Sequence, residues 1–207
     1  MRVLVACEFS GTVRDAFIAA GHDAMSCDLL PSERPGPHYH GDVRDVLGDG
    51  WDLMIAHPPC TYLANSGVRW LYGGKGSERD PERWAAMEEA AAFFAMLLAA
   101  PIPRVAVENP VMHRYGRDLV NRRACDAAGG WIQYSVHTIQ PWQFGHGETK
   151  ATQLWRRNLP ALAPTNIVPG REQRVHRMAP GPDRWRERSR TFPGIAHAFA
   201  DQWGSLS

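Results

Sequence analysis

Hydrophobic residues along this chain gather into short continuous runs, each closed by a turn signal, with one long helical block near the middle. Arg2 to Cys7 (RVLVAC), Ala24 to Cys27, Asp52 to Ala56 and RVAVENP, from Arg104 to Pro110, read as buried strands. After the first strand come the turn EFSGT and the helical pattern VRDAFIAAG, which Gly21 closes. Strand, glycine turn and helix make the first half of a nucleotide-binding βαβ unit. Pro81 opens a stronger helix, PERWAAMEEAAAFFAMLLAA, with carboxylates early and an alanine-rich apolar face, and Pro101 and Pro103 end it. Residues 111–128 read as the next helix. WIQYSVHT alternates as a strand, and TQLWRR returns beside it as an antiparallel edge. Pro31 to Gly41 and Leu159 to Asp183 are predicted to be irregular, and a last helix runs from about Pro193 to Trp203.

Two strands leave the sheet at prolines, which lack the donor that a central ladder needs. Cys60 stands just past Pro58 and Pro59, at the strand's carboxyl end, where open α/β sheets bind ligands. Small or polar residues follow it (Thr61, Ala64, Asn65, Ser66, Gly67), so the loop presents a thiol from a fixed scaffold, as a nucleophile requires. The plainer alternative is that Cys60 is a small buried hydrophobe. Glu108 and Asn109 precede Pro110 in the same way, which in a parallel sheet puts them on the rim that carries Cys60. Asp28 ends the second strand about 20 residues after the first turn, where such folds bind ribose hydroxyls; alternatively it starts a turn before Pro31. Asp42, in GDVRDVL, is placed to accept a hydrogen bond from a ligand's amino group. Behind Cys60, WLYGGKGSERDPERW is expected either to close over substrate or to be a plain surface loop. His38 and His40 have no cysteine or carboxylate at a supporting spacing, so no metal site is expected.

Length and composition narrow the picture only a little. At 207 residues, with 22% charged and 44% hydrophobic positions, the chain is expected to form one domain with an ordinary core. No apolar run approaches the roughly 20 residues that a spanning helix needs, and the start reads as a strand rather than a signal peptide. The expectation is a cytoplasmic protein, with no membrane partner, whose four scattered cysteines (Cys7, Cys27, Cys60, Cys125) are free thiols. Charge is divided unevenly, at net −6 for residues 1–100 and +7 for 101–207. The basic half, with arginines at 171, 174, 177, 184, 186, 188 and 190, suits a polyanionic partner or is a solvated face.

Taken in order, EFSG, Asp28, Asp42, HPPC and VENP resemble the S-adenosylmethionine-dependent DNA cytosine-5 methyltransferases, whose central signatures are a Pro-Pro-Cys loop and a Glu-Asn pair. RSRTFPGIAHAFADQW is similar to that family's last motif, a C-terminal helix returning to the cofactor side, here 191–204. The style is most like the short versions among phage and prophage genes. The resemblance implies a Rossmann-like α/β methyltransferase fold, with a mostly parallel sheet and helices on both faces. It also implies S-adenosylmethionine as cofactor, held around Glu8, Phe9, Ser10, Gly11, Asp28, Asp42 and Pro58. Cys60 is then the nucleophile and Glu108 the acid that engages the pyrimidine, supported by Pro59 and Asn109. The implied partner is DNA, touched by Asn65 and Ser66. The chemistry wants these types. Carbon 5 of cytosine becomes nucleophilic only after a thiolate adds to carbon 6, and a carboxyl whose pKa burial raises is suited to the ring nitrogen.

Two departures stand out. The family's separate target-recognition domain has no counterpart, its place being taken by a compact, loop-rich basic region, 139–190. The family's base-holding arginine has no clear match either, and Lys150, Arg156 and Arg157 are the candidates. Two alternatives therefore stay open: the same chemistry on a free cytosine nucleotide, and a catalytically silent nucleic-acid-binding protein of the same fold. Oligomeric state is not legible in the sequence.

Overall fold

The computed structural model describes residues 1–72 and 78–206. Its strands are β1 (Arg2–Ala6), β2 (Asp23–Asp28), β3 (His38–His40), β4 (Leu53–Ala56), β5 (Arg104–Pro110), β6 (Ser135–Ile139) and β7 (Thr152–Arg157). They form one sheet in the order β3-β2-β1-β4-β5-β7-β6. β3 to β5 are parallel, and β7 runs antiparallel to both β5 and β6. The helices are α1 (Thr12–Ala19), α2 (Pro81–Leu98), α3 (Arg114–Ala127), α4 (Arg174–Arg177), α5 (Arg184–Ser189) and α6 (Pro193–Gly204).

Period-two geometry explains why the central strands are apolar at every position. Val3, Val5, Leu53, Ile55 and Ala106 face one layer, where they meet Val13 and Phe17 of α1 and Ile195, Phe199 and Trp203 of α6. Leu4, Ala6, Met54, Ala56, Val105 and Val107 face the other, with Phe94 and Leu98 of α2 and Val120 of α3. Both faces are covered, as a parallel core demands. Among the described residues no helix is long and apolar enough to cross a membrane.

Two glycines are fixed by geometry. Gly11 begins α1 at φ 71, a left-handed conformation in which an L side chain is strained. At Gly194 a Cβ would stand 1.9 Å from the Phe144 carbonyl oxygen, so only glycine lets α6 enter against the 141–146 turn.

The structure departs from the sequence pattern in three places. His38–His40 is an edge strand rather than loop, its backbone paired with β2 through Ser26↔His38, and the rings of His38 and His40 contact the Leu30 and Leu29 carbonyls. Within the stretch expected to be irregular lies the single turn α4, and immediately after it comes α5. Of the glycine-rich stretch behind Cys60, residues 73–77 lie outside those described; before them Asn65–Leu71 is a 3₁₀ helix.

Candidate active site

The Cys60 loop is built from its own turn and from the start of α3. After buried Pro58, the Cys60 carbonyl accepts from the Leu63 and Ala64 amides at 3.1 and 2.9 Å, closing a turn with Pro59 at its exposed outer edge. His113 then pins that turn. Its amide donates to the Leu63 carbonyl at 3.0 Å, and its Nδ1 accepts from the Gly116 amide at 3.0 Å. That leaves Nε2–H to donate to the Tyr62 carbonyl at 2.8 Å. Beyond the turn, Asn65 donates its amide to the Val111 carbonyl at 2.9 Å, and Asn65 and Ser66 are exposed on the rim.

Strand register sets what stands beside the loop. Ile55 pairs with Ala106 and Ala56 with Val107, so the next residues, His57 and Glu108, are neighbours on the α6 face. His57 Nδ1 lies 3.7 Å from Glu108 Oε2, and the side chains keep only 9% and 17% of their exposure. A narrow cleft opens beside them, lined by Lys150 and Thr152 from the β7 side and by Thr191, Phe192 and Phe199 from the α6 side. Lys150 Nζ donates to the Arg190 carbonyl at 3.3 Å, which ties the cleft to the end of α5.

Cys60 and Glu108 act on each other electrostatically. Burial raises the Cys60 thiol above its ordinary value, the Glu108 charge raises it further, and Lys150 and Arg188 pull it down. For Glu108 burial pushes upward too, but the His57 ring, the Lys150 charge and the Thr152 hydroxyl outweigh it, leaving the carboxyl below its ordinary range. The expectation that burial raises this carboxyl is therefore reversed. In the resting site the sulfur keeps its proton and Glu108 is ionised.

On the opposite side of β1 the rim is acidic. The Cys7 thiol is raised above the ordinary range by burial and then by the charges of Asp28, Cys27 and Asp42, so both aspartates lie about the end of β1. Burial raises Asp28 itself, and one of its oxygens accepts from the Leu30 amide at 2.9 Å. Asp42 caps a 3₁₀ turn through the Arg44 amide at 2.9 Å and also pairs with the Arg44 guanidinium. Two carboxylates at strand ends are acceptors for hydroxyl and amino donors and attract positive charge. S-adenosylmethionine offers all three, and on this ground the residues fit it.

Not every expected residue faces the cleft. Glu8 is spent on α1, accepting from the Val13 and Arg14 amides at 2.7 and 3.3 Å and from Ser10 Oγ at 3.0 Å. Glu8 and Ser10 thus cap a helix whose own N-cap glycine has no side chain to do so. Phe9 is covered, with Trp185 of α5 at 5.9 Å between ring centroids and Arg186 over its face. Asn109 is fully buried, its amide nitrogen donating to the Pro110 carbonyl. Arg156 and Arg157 are corrected outright as base-holding candidates. They pair with Ala106 and Val105 near the start of β5, and donate to the Leu159 carbonyl and to the Ala100 and Ile102 carbonyls. Both guanidiniums serve the far end of the sheet, and only Lys150 of the three candidates reaches the rim.

Sequence reasoning passed over His57, Arg188 and Arg14. His57 was legible in principle, because aligning the two proline exits sets it against Glu108. Arg14 carried no such signal. Its fully buried guanidinium bonds Asp15, Ser26, Ser32 and the Pro35 carbonyl, holding the loop after β2 against α1. The basic run is partly neutralised within the chain: Arg174 pairs with Glu148, Arg186 and Arg190 pair with Glu33, and Arg171 stacks on Trp142.

No family model and no curated protein matches this sequence. Among solved structures the chain resembles an E. coli prophage protein named as a DNA modification methyltransferase, at 15% identity and a TM-score of 0.53, over 82% of this chain and 52% of that one. It also resembles the Entamoeba histolytica methyltransferase EhMeth, at 11% identity and a TM-score of 0.52, over 81% of this chain and 57% of that one. The chain spans little more than half the length of either structure, and what it shares with them is the Rossmann-like methyltransferase fold.

Proposed function

We propose that this chain is an S-adenosylmethionine-dependent methyltransferase acting on carbon 5 of cytosine in DNA, through a covalent adduct with Cys60. One observation carries the reading: a thiol and a carboxylate are presented from the ends of adjacent parallel strands, the carboxylate charge raises the thiol, and the Lys150 charge acts on both. A binding module has no need of that arrangement. The two methyltransferase neighbours share the fold, and the acidic rim on the other side of β1 suits the cofactor.

Bound S-adenosylmethionine supplies an electrophilic methyl group, with Asp28 and Asp42 as the acceptors that hold it. Cys60 gives up its proton and adds to carbon 6 of the base, and the Lys150 and Arg188 charges favour the thiolate as it forms. Glu108, ionised at rest, takes up a proton and as the carboxylic acid donates to ring nitrogen 3, where negative charge collects once carbon 6 is attacked. After methyl transfer the carbon 5 proton leaves and Cys60 is eliminated, which restores the site. Asn65 and Ser66, exposed beside the Cys60 turn, contact the nucleic acid, and the 139–190 region does the work that a recognition domain would otherwise do.

The test is incubation of the full chain with methyl-labelled cofactor and either plasmid DNA or deoxycytidine monophosphate. Label in DNA at carbon 5 supports the proposal. Label in the nucleotide alone replaces the substrate, and label in neither overturns the reading. DNA carrying 5-fluorocytosine should trap the wild-type protein as an adduct stable to denaturant, because fluorine cannot leave as a proton does. Cys60→Ser should form none.

A further inference from the structure

Building on that reading, we propose that His57 is the positioning residue for Glu108, and that the two side chains hold between them the proton taken up by ring nitrogen 3 of the target cytosine. The geometry comes from two strand ends. β4 and β5 run in register, so His57 and Glu108 emerge side by side on the α6 face and meet at 3.7 Å. His57 is nine-tenths buried, and among the described residues neither of its ring nitrogens has a hydrogen-bond partner. Buried polar groups almost always have partners, so an imidazole left this way beside a reactive carboxylate calls for an explanation.

The separation itself supplies one. At 3.7 Å the contact is too long for a resting hydrogen bond and short enough for a strong charge interaction. Glu108 can therefore turn toward a bound base without first breaking a tight bond, and stays within reach of the ring when it returns. The other groups facing Glu108 are poor proton sources. Lys150 approaches from before β7, and a lysine ammonium keeps its proton until well above neutral pH. Thr152, on β7, offers a hydroxyl; the Cys60 thiol, past β4, is raised by the Glu108 charge; and Arg188, on α5, whose charge acts on Cys60, is permanently charged. Imidazole is the side chain whose proton is exchangeable near neutrality.

The proton accounting closes. As Cys60 adds to carbon 6, the His57 imidazolium loses its Nδ1 proton and is left neutral with Nε2–H, an O–H bond forms on Glu108, and that proton passes to nitrogen 3. On elimination of Cys60 the same proton returns through Oε2 to Nδ1. The thiol proton goes to solvent and one is taken back by the eliminated thiolate, so the carbon 5 proton is the single net proton released and the pair ends as it began.

Two measurements test this. The first needs no substrate: the ring nitrogen-15 shifts of His57 are recorded at one pH, assigned by their loss in His57→Asn. Replacing the partner in Glu108→Gln should move the His57 Nδ1 resonance, because the ring loses the carboxylate it faces at 3.7 Å. Unchanged His57 resonances overturn the pairing. The second is steady-state methylation by His57→Asn, whose amide can orient the carboxylate but cannot supply a proton. Its kcat should fall about 10²-fold or more, with KM for DNA and cofactor affinity within about twofold of wild type, and the acid limb of the kcat profile should move. Wild-type kcat in this variant overturns the proposal, and so does a parallel collapse of cofactor binding and melting temperature, which marks a structural role. If wild type methylates nothing while the His57 resonances still depend on Glu108, the methylation reading fails and the pairing stands.

Discussion

Glu108→Gln should make Cys60 react faster with an alkylating reagent while making the protein a far worse methyltransferase. The thiol is held protonated by burial first and by the Glu108 charge second, against Lys150 and Arg188. Glutamine keeps the shape and removes the charge, so the two cations act unopposed and the thiolate fraction rises. A tenfold change in ionisation corresponds to about 1.4 kcal/mol of differential interaction. A half-screened rim carboxylate supplies from a third of that to all of it. Iodoacetamide modification of Cys60 at pH 7.5 is therefore expected to speed up about two- to tenfold. Lys150→Met should move it the other way. The readout is mass spectrometry of the Cys60 peptide over time, with Cys125 as internal reference because it too is partly accessible. Methylation by Glu108→Gln should drop by ~10²–10⁴ over the same pH range, since the positioned acid is gone. Equal or slower alkylation in a folded Glu108→Gln protein would refute the coupling from which the mechanism is built.

Further outcomes follow from the same geometry. Gly11→Ala puts a Cβ at φ 71 and 2.5 Å from Arg14 Nη2, so a loss of about 2 kcal/mol is expected in urea unfolding. Arg157→Ala removes donors from the Ala100 and Ile102 carbonyls and should cost about 1–3 kcal/mol, while kcat per folded molecule stays at wild type. Burial, then the Asp28 and Asp42 charges, raise the Cys27 thiol from 9.0 to about 12, so the folded state holds that proton more tightly. That stabilisation is complete below about pH 9 and is lost as pH rises toward 12, and Cys27→Ala should flatten the alkaline fall in urea midpoints between pH 8 and 10.5.

The parts of this fold that the sequence displayed are those whose signal is local. Continuous apolar strands, proline-opened α2 and proline-ended β5 each carry their boundary in a few adjacent residues, and each lies where the pattern puts it. β3 was illegible because His-Tyr-His has no apolar alternation and is held to β2 by backbone pairing and by the Ser26 Oγ–His38 Nδ1 contact at 2.8 Å. Arg156 and Arg157 misled because the strand TQLWRR was right but its direction decided the matter. β7 runs antiparallel to β5, which carries its arginines away from the rim and leaves Lys150, before its first residue, beside Glu108. A site made at strand ends is readable only when register and direction are both known, and the sequence alone supplies neither.

The division of charge between the two halves has a spatial meaning that composition could not give. Acidic residues of the first half and basic residues of the second meet over the carboxyl rim. Glu33, in the loop that Arg14 anchors, receives both Arg190 oxygen contacts at 2.8 and 2.9 Å, with Arg186 at 3.5 Å. Trp185 from the same short helix rests on Phe9, and the Arg190 carbonyl receives Lys150. α5 thus bridges the cofactor side and the Cys60 side with contacts that are individually weak at an exposed surface. Arginines 171, 177, 184 and 188 carry no ion pair among the described residues, and Arg171 is stacked on Trp142, so on the proposed function 177, 184 and 188 are the ones left to meet a phosphate backbone. A polyanion-binding surface of that kind is narrower than the run of seven arginines suggests. Arg188, whose charge already reaches Cys60, is the arginine through which nucleic-acid contact and thiol ionisation would be joined. Neutralising that guanidinium in Arg188→Met should both weaken the salt dependence of DNA binding by about one counterion and slow alkylation of Cys60. A variant that changes one of these and not the other would show that α5 does not couple them.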